Sequence, residues 1–256
     1  MLRPRAGVGR ALLLTVEPSG PTLNIELARR ATAEAVGTAL LVAAVVGSGI
    51  HAQRLSPDDI GLELLENSIA TGAVLVALIL ALGPVSGAHF NPVVTLADRV
   101  LGGIASSDAI VYVVAQVVGA CLGAMAANVM FELPAVDIST HTRSSGALWF
   151  SEMIATFGLL LVILGVVRAG RAQVAAFAVG GYIAAAYWFT SSTSFANPAV
   201  TVGRTLTNSF AGIAPSSVPP FVVAQVAGAL LAVALARFLR PHIPAEDLVM
   251  PHDEAA

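Results

Sequence analysis

Gly87-Ala88-His89-Phe90-Asn91-Pro92-Val93-Val94-Thr95 and Thr193-Ser194-Phe195-Ala196-Asn197-Pro198-Ala199-Val200-Thr201 are two versions of one phrase. Each is a small, polar loop that meets an Asn-Pro pair and then a short β-branched run. Asparagine is a preferred helix N-cap and proline suits the first helical position, so each pair is expected to open a helix. Both lie in long uncharged runs, 67–97 and 172–203. Irregular backbone at membrane depth survives only where it is buried in protein or lines a watery cavity. The two loops are therefore pore candidates.

The surrounding composition supports a membrane setting. Of 256 residues 56% are hydrophobic, only 11% are charged, and none is lysine. A soluble domain carries about a quarter charged residues. Further uncharged runs cover 35–53, 109–131 and 205–236, and 147–167 is interrupted only by Glu152. A spanning helix needs roughly 20 apolar residues, which predicts six spans: 30–51, 62–83, 108–131, 147–168, 172–190 and 216–239. The net charge of -3 excludes a nucleic-acid partner, which calls for a basic stripe. The single cysteine, Cys121, excludes an intrachain disulfide and reads as a small apolar residue of the third span. Residues 1–28 hold an apolar patch too short for a signal-peptide core and are expected to be a cytoplasmic tail, as are 241–256. With both ends inside, the inner segments hold ten arginines and the outer loops only Arg54, Arg143 and Arg204, a positive-inside bias.

The chain also repeats. Glu34-x-x-x-Thr38 pairs with Glu152-x-x-x-Thr156, and Ala115-Gln116-Val117-x-Gly119-Ala120 with Ala224-Gln225-Val226-x-Gly228-Ala229. With the Asn-Pro boxes between them, three landmarks keep their order, as in one unit duplicated with loop changes. Three spans per unit is an odd number, so the halves, about 29–131 and 147–240, run in opposite orientations.

Across residues 30–240 these landmarks resemble the aquaporin and glycerol-facilitator family. The resemblance implies an all-α integral membrane protein with six spanning helices, two re-entrant half-helices, a pore in each protomer and a homotetramer in the cell membrane. It implies no cofactor. The boxes Asn91-Pro92-Val93 and Asn197-Pro198-Ala199 would meet at mid-bilayer. Two half-helices pointing their N-termini there oppose cations, while the asparagine amides and the loop carbonyls near 86–90 and 192–196 serve water or a hydroxylated solute. The intramembrane carboxylates Glu34 and Glu152 read as supports that accept loop N–H groups, the alternative being a proton relay. His89 and its neighbour Phe90 are expected at the cytoplasmic half of the pore.

Water-selective members of the family carry an arginine three residues after the second-box asparagine; here that residue is Val200. Carrying over the other filter positions by spacing gives Thr71, Ala185 and Ser194. All four are small, so the expected filter is wide and lacks a cation, favouring small neutral solutes over water alone. Arg204 lies one turn beyond Val200, and Asp98 holds the matching place after Asn91. They are expected at the outer and inner mouths, or else as interfacial anchors turned away from the pore. The stretch 191–201 resembles a bacterial branch associated with arsenic resistance, and undissociated arsenite is a neutral polyol mimic. A coupled transporter would need protonatable or ion-coordinating groups at the midplane, which the boxes lack. An enzyme would need a catalytic or metal-ligand cluster; no metal-binding His pair occurs.

Overall fold

The computed structural model describes residues 25–239. Eight α-helices run in the order α1 Ile25–Leu55, α2 Ile60–Ser86, α3 Pro92–Leu101, α4 Ser106–Met130, α5 Gly146–Arg168, α6 Ala175–Phe189, α7 Pro198–Gly203 and α8 Val218–Leu239. There is no strand among the described residues. Six helical segments are long and apolar enough to cross a membrane: α1, α2, α4, α5, α6 with the turn before it, and α8 with the turn before it. α1 starts at Ile25, so residues 25–28 of the expected N-terminal tail belong to the helix; the rest of that tail, 1–24, and the expected C-terminal tail, 241–256, lie outside the described residues.

α3 and α7 are the two half-helices, 10 and 6 residues long. A 3-10 turn, Arg204–Leu206, extends the second. Each starts as the sequence predicts. Asn91 and Asn197 are extended at the N-cap, and their side-chain oxygens accept the N–H of Val93 and of Ala199 and Val200. Proline follows at the first helical position, where its fixed φ suits the turn and its missing N–H costs nothing.

The packing repeats with the sequence. α1 lies against α2 and α4, and α5 against α6 and α8. α2 meets α6 across the seam, and both half-helices rest on α4 and α8. Small residues permit the closest crossings. A Cβ at Gly119 or Gly123 of α4 would overlap the carbonyl oxygens of Ala35 or Ala39 in α1. Gly228 of α8 stands in the same relation to Met153 of α5. Without a hydrophobic drive between helices in lipid, such backbone-to-backbone fit is a main source of association. Large apolar side chains such as Ile69, Ile110, Phe150, Phe177 and Val223 point outward.

Candidate functional site: a cavity between the two half-helices

The loops ahead of the half-helices take an unusual path. Gly87, Ala88 and Phe90 in the first, and Thr193, Ser194 and Ala196 in the second, have φ between 47° and 81°. For residues other than glycine this left-handed backbone costs about 1–2 kcal/mol each. Something must hold it, and the buried glutamates do. Glu34 accepts from the N–H of His89 (2.9 Å) and Phe90 (2.7 Å), from Ser86 Oγ (2.7 Å) and from Gln116 Nε2 (2.7 Å). Glu152 accepts from the N–H of Phe195 (2.8 Å) and Ala196 (2.9 Å) and from Gln225 Nε2 (2.7 Å). Both carboxylates are fully buried, so losing either would leave several donors unpaired at about 1–3 kcal/mol each.

The glutamines carry the support onward. Gln116 also donates to Thr95 Oγ1 (3.0 Å), and Gln225 to Thr201 Oγ1 (2.9 Å). Thr201 in turn donates to the carbonyl of Asn197. The glutamines were visible in the sequence only as repeat landmarks; their appearance in both halves, each on a glutamate-bearing neighbour, was the signal.

Across the centre the halves clasp. Asn91 Nδ2 donates to the carbonyl of Ala196, and Asn197 Nδ2 to that of Phe90, both at 2.8 Å. With each side-chain oxygen occupied by capping, one N–H of each amide remains, since a carboxamide nitrogen has two donors. Both asparagines line a cavity of about 80 Å³. One water needs roughly 10–15 Å³, so the cavity has room for several.

The cavity runs from Gly87, Ala88, His89, Val167 and Val179 at one end to Thr71, Tyr187, Ser194, Val200 and Arg204 at the other. Leu41, Val45, Leu75 and Leu159 make much of the wall between. Phe90 reaches the cavity too, with its ring packed over Gly37 of α1. Pro92, Val93, Pro198 and Ala199 do not line it; they build the first helical turns.

The expected filter needs correction at one position. Ala185 is exposed on the outer face of α6, and Tyr187, two residues on, faces the cavity with its hydroxyl 3.1 Å from Thr71 Oγ1. Two residues turn a helix by about 200°, enough to exchange inside for outside. The ring is also not without a cation, because Arg204 lines the same end as Val200 and is only 2% exposed. Its Nε donates to the carbonyl of Ala211. Its guanidinium carbon stands 3.5 Å from the centre of the Phe195 ring, a cation–π contact. No carboxylate is within ion-pair reach of it among the described residues. Arg143, from the loop before α5, approaches the same ring at 5.2 Å and donates to the carbonyls of Gly212 and Phe210. Burial lowers its proton affinity from the usual arginine value.

At the opposite end Asp98 does not itself reach the cavity. It lies behind His89, its carboxylate 3.8 Å from the imidazole Nε2. No cluster of metal-ligating side chains occurs among the described residues.

Residues 22–192 match the family model described as "Major intrinsic protein". The chain belongs to the major intrinsic protein family. It is thus a multi-pass membrane channel protein and not an enzyme. It is 53% identical over 216 residues to "Aquaglyceroporin AqpS" of Rhizobium meliloti, covering 84% of this chain and 92% of that one. It is 32% identical over 245 residues to "Probable aquaporin AqpM" of Archaeoglobus fulgidus, covering 85% and 99%. Among solved structures the aquaglyceroporin from Plasmodium falciparum superposes with a TM-score of 0.65 at 22% identity, covering 84% of this chain and 98% of that one; that likeness concerns the fold.

Proposed function

We propose that this member of the family is a passive pore for water and small neutral solutes, including glycerol-like polyols and undissociated arsenite or similar metalloid hydroxides, and that it turns back protons and other ions. One observation carries the reading: a single cavity takes in both box asparagines and Arg204 between largely apolar walls. The remaining amide N–H groups can serve a passing hydroxyl, and the side of the cavity away from them is hydrocarbon. Arg204 and the two inward-pointing helix starts put positive charge where a cation would have to shed water. Small residues at Thr71, Ser194 and Val200 leave room beside Tyr187. The name aquaglyceroporin carried by the Rhizobium relative points the same way.

Glu34 and Glu152 act in this reading as supports, not as proton relays, because their carboxylates accept from loop N–H groups and glutamine amides. The channel domain spans about 29–240 and works as a homotetramer in the cell membrane. The arginine asymmetry supports cytoplasmic termini, which puts His89 at the inner end and Arg204 at the outer.

Tyr187 and Arg204 are larger than the residues expected at the ring, which favours a water-selective pore as the second reading. Proteoliposomes followed by light scattering with water, glycerol, urea and arsenite in parallel separate the two. We expect glycerol and arsenite to enter, and flux to be indifferent to imposed proton or sodium gradients. Rapid water flow with every solute excluded would establish the second reading, and gradient-driven uptake would overturn both.

A further inference from the structure

At the end of the cavity that holds Arg204, room is scarce. Arg204 and Tyr187 are both large, yet a polyol has to pass beside them. Where the guanidinium lies therefore decides what this end admits, and one side chain fixes it.

Phe195 stands two residues before Asn197, the place that His89 takes before Asn91. Its ring lines the cavity. It lies between two residues of positive φ, Ser194 and Ala196, and its N–H donates to Glu152 at 2.8 Å. The side chain is 4% exposed and forms a small apolar cluster with Ile213, Phe221 and Leu148. It meets the Phe221 ring edge-on at 5.3 Å. Backbone and neighbours thus immobilise the ring without help from Arg204.

Arg204 rests on that platform. With the guanidinium carbon 3.5 Å from the ring centre, two flat groups are in van der Waals contact and have to lie nearly parallel. Arginine stacks on aromatic faces in this way. The Nε bond to the Ala211 carbonyl holds one edge of the guanidinium, and the loop carrying that carbonyl is itself held. Arg143 donates to the carbonyls on either side of it, those of Phe210 and Gly212. The Ile213 N–H donates to the Arg204 carbonyl at 3.3 Å. A hydrogen bond along one edge still lets the guanidinium plane swing about it; the ring face removes that freedom.

The swing matters because an acceptor waits for it. Ser194 lines the same end, and its buried hydroxyl makes no hydrogen bond among the described residues. The Thr71 and Tyr187 hydroxyls are engaged with each other. Nε is the one Arg204 nitrogen with an acceptor among the described residues.

We infer that Phe195 is a positioning residue for solute selectivity. Its ring clamps the Arg204 guanidinium flat against the wall and leaves the lumen wide enough for a polyol. A guanidinium released from the ring turns its spare donors to Ser194 and lies across the passage, which then admits water in preference to larger solutes. This rests on the cavity being the solute pore.

The test is the ratio of glycerol to water permeability in proteoliposomes of the full chain. Phe195→Leu should lower the ratio several-fold, and Phe195→Leu/Arg204→Leu should restore it, since no guanidinium is left to swing. Ring-fluorinated phenylalanines incorporated at position 195 keep the shape and weaken the negative ring face, so the ratio should fall stepwise with fluorination. That series decides the outcome if the leucine variant does not fold. A ratio that Phe195→Leu leaves unchanged, a double variant as restricted as the single one, or a fluorinated series without a trend would overturn the inference. So would a wild type that passes water and excludes glycerol. Arginine 15N–1H spectra give a readout that needs no pore: an Arg204 Nε–H resonance displaced upfield by the ring is expected, identified by its absence from Arg204→Leu. An undisplaced resonance beside normal glycerol flux would sink the clamp alone. A displaced one in protein that passes neither water nor glycerol would sink the pore reading alone.

Discussion

Arg204 brings a buried guanidinium to the end of the cavity where Val200 offers only hydrocarbon. Valine at position 200 leaves a gap in positive charge on the half-helix, and the guanidinium one turn further on reaches the same end of the cavity. Phe195 holds it face-on while a carbonyl, not a carboxylate, takes its Nε. No carboxylate pairs with it directly among the described residues. We expect Arg204→Leu to keep glycerol flux within a few-fold of wild type and to raise proton leak at least tenfold, measured by pH-sensitive dye in loaded vesicles; an unchanged leak would remove Arg204 from ion rejection. The loss of one donor to the Ala211 carbonyl should cost about 1–3 kcal/mol of stability. Sequence reasoning located Arg204 by its spacing from Asn197, because a half-helix of known start fixes which residues share a face. It did not show that the arginine joins Val200 in one ring, since that depends on the loop that folds over it.

At the scale of elements, legibility follows from how much a segment's pattern constrains its rotation. α3 and α7 announce themselves through cap, proline and repeat, and the structure starts both where the sequence starts them. α6 does not. Ala175–Phe189 is apolar on every side, so no polar stripe marks the face that turns inward, and spacing alone pointed to Ala185, which is exposed, and not to Tyr187, which lines the cavity. The glycine crossings are similarly silent, because a glycine in a span reads the same whether it meets backbone or lipid. The contrast can be measured. Gly228→Leu forces a side chain into the Met153 carbonyl and should prevent α5 and α8 from closing, giving protein that aggregates on extraction. Gly165→Ala, on α5 with nothing within 4 Å of the new Cβ, should be tolerated or stabilise by about 0.5–1 kcal/mol. Size-exclusion profiles and thermal midpoints in detergent would report both, and equal behaviour of the two variants would refute the close-packing account.

For the whole molecule, the arginine asymmetry argues for both termini on one side, and the duplicated three-span unit requires it if the spans all cross. A protease-cleavable tag at the C-terminus of protein expressed in intact cells should resist external protease and be cut after lysis; cleavage in intact cells would reverse the orientation. The fold class was readable because charge-free runs and an inverted repeat are global patterns that need no contact information. The seam between halves was not, and it is there that the asparagine amides cross over. That clasp has a consequence for how the protein is made. The carbonyl of Phe90 receives its partner from a residue 107 positions later. At roughly 5–20 residues per second that interval is on the order of 5–20 s of synthesis. Throughout it, the first re-entrant loop lacks the Asn197 donor that its Phe90 carbonyl has in the finished fold. Completion of the pore is thus an event of late translation, and a ribosome that stalls between the repeats leaves behind a half-channel that has inserted without closing.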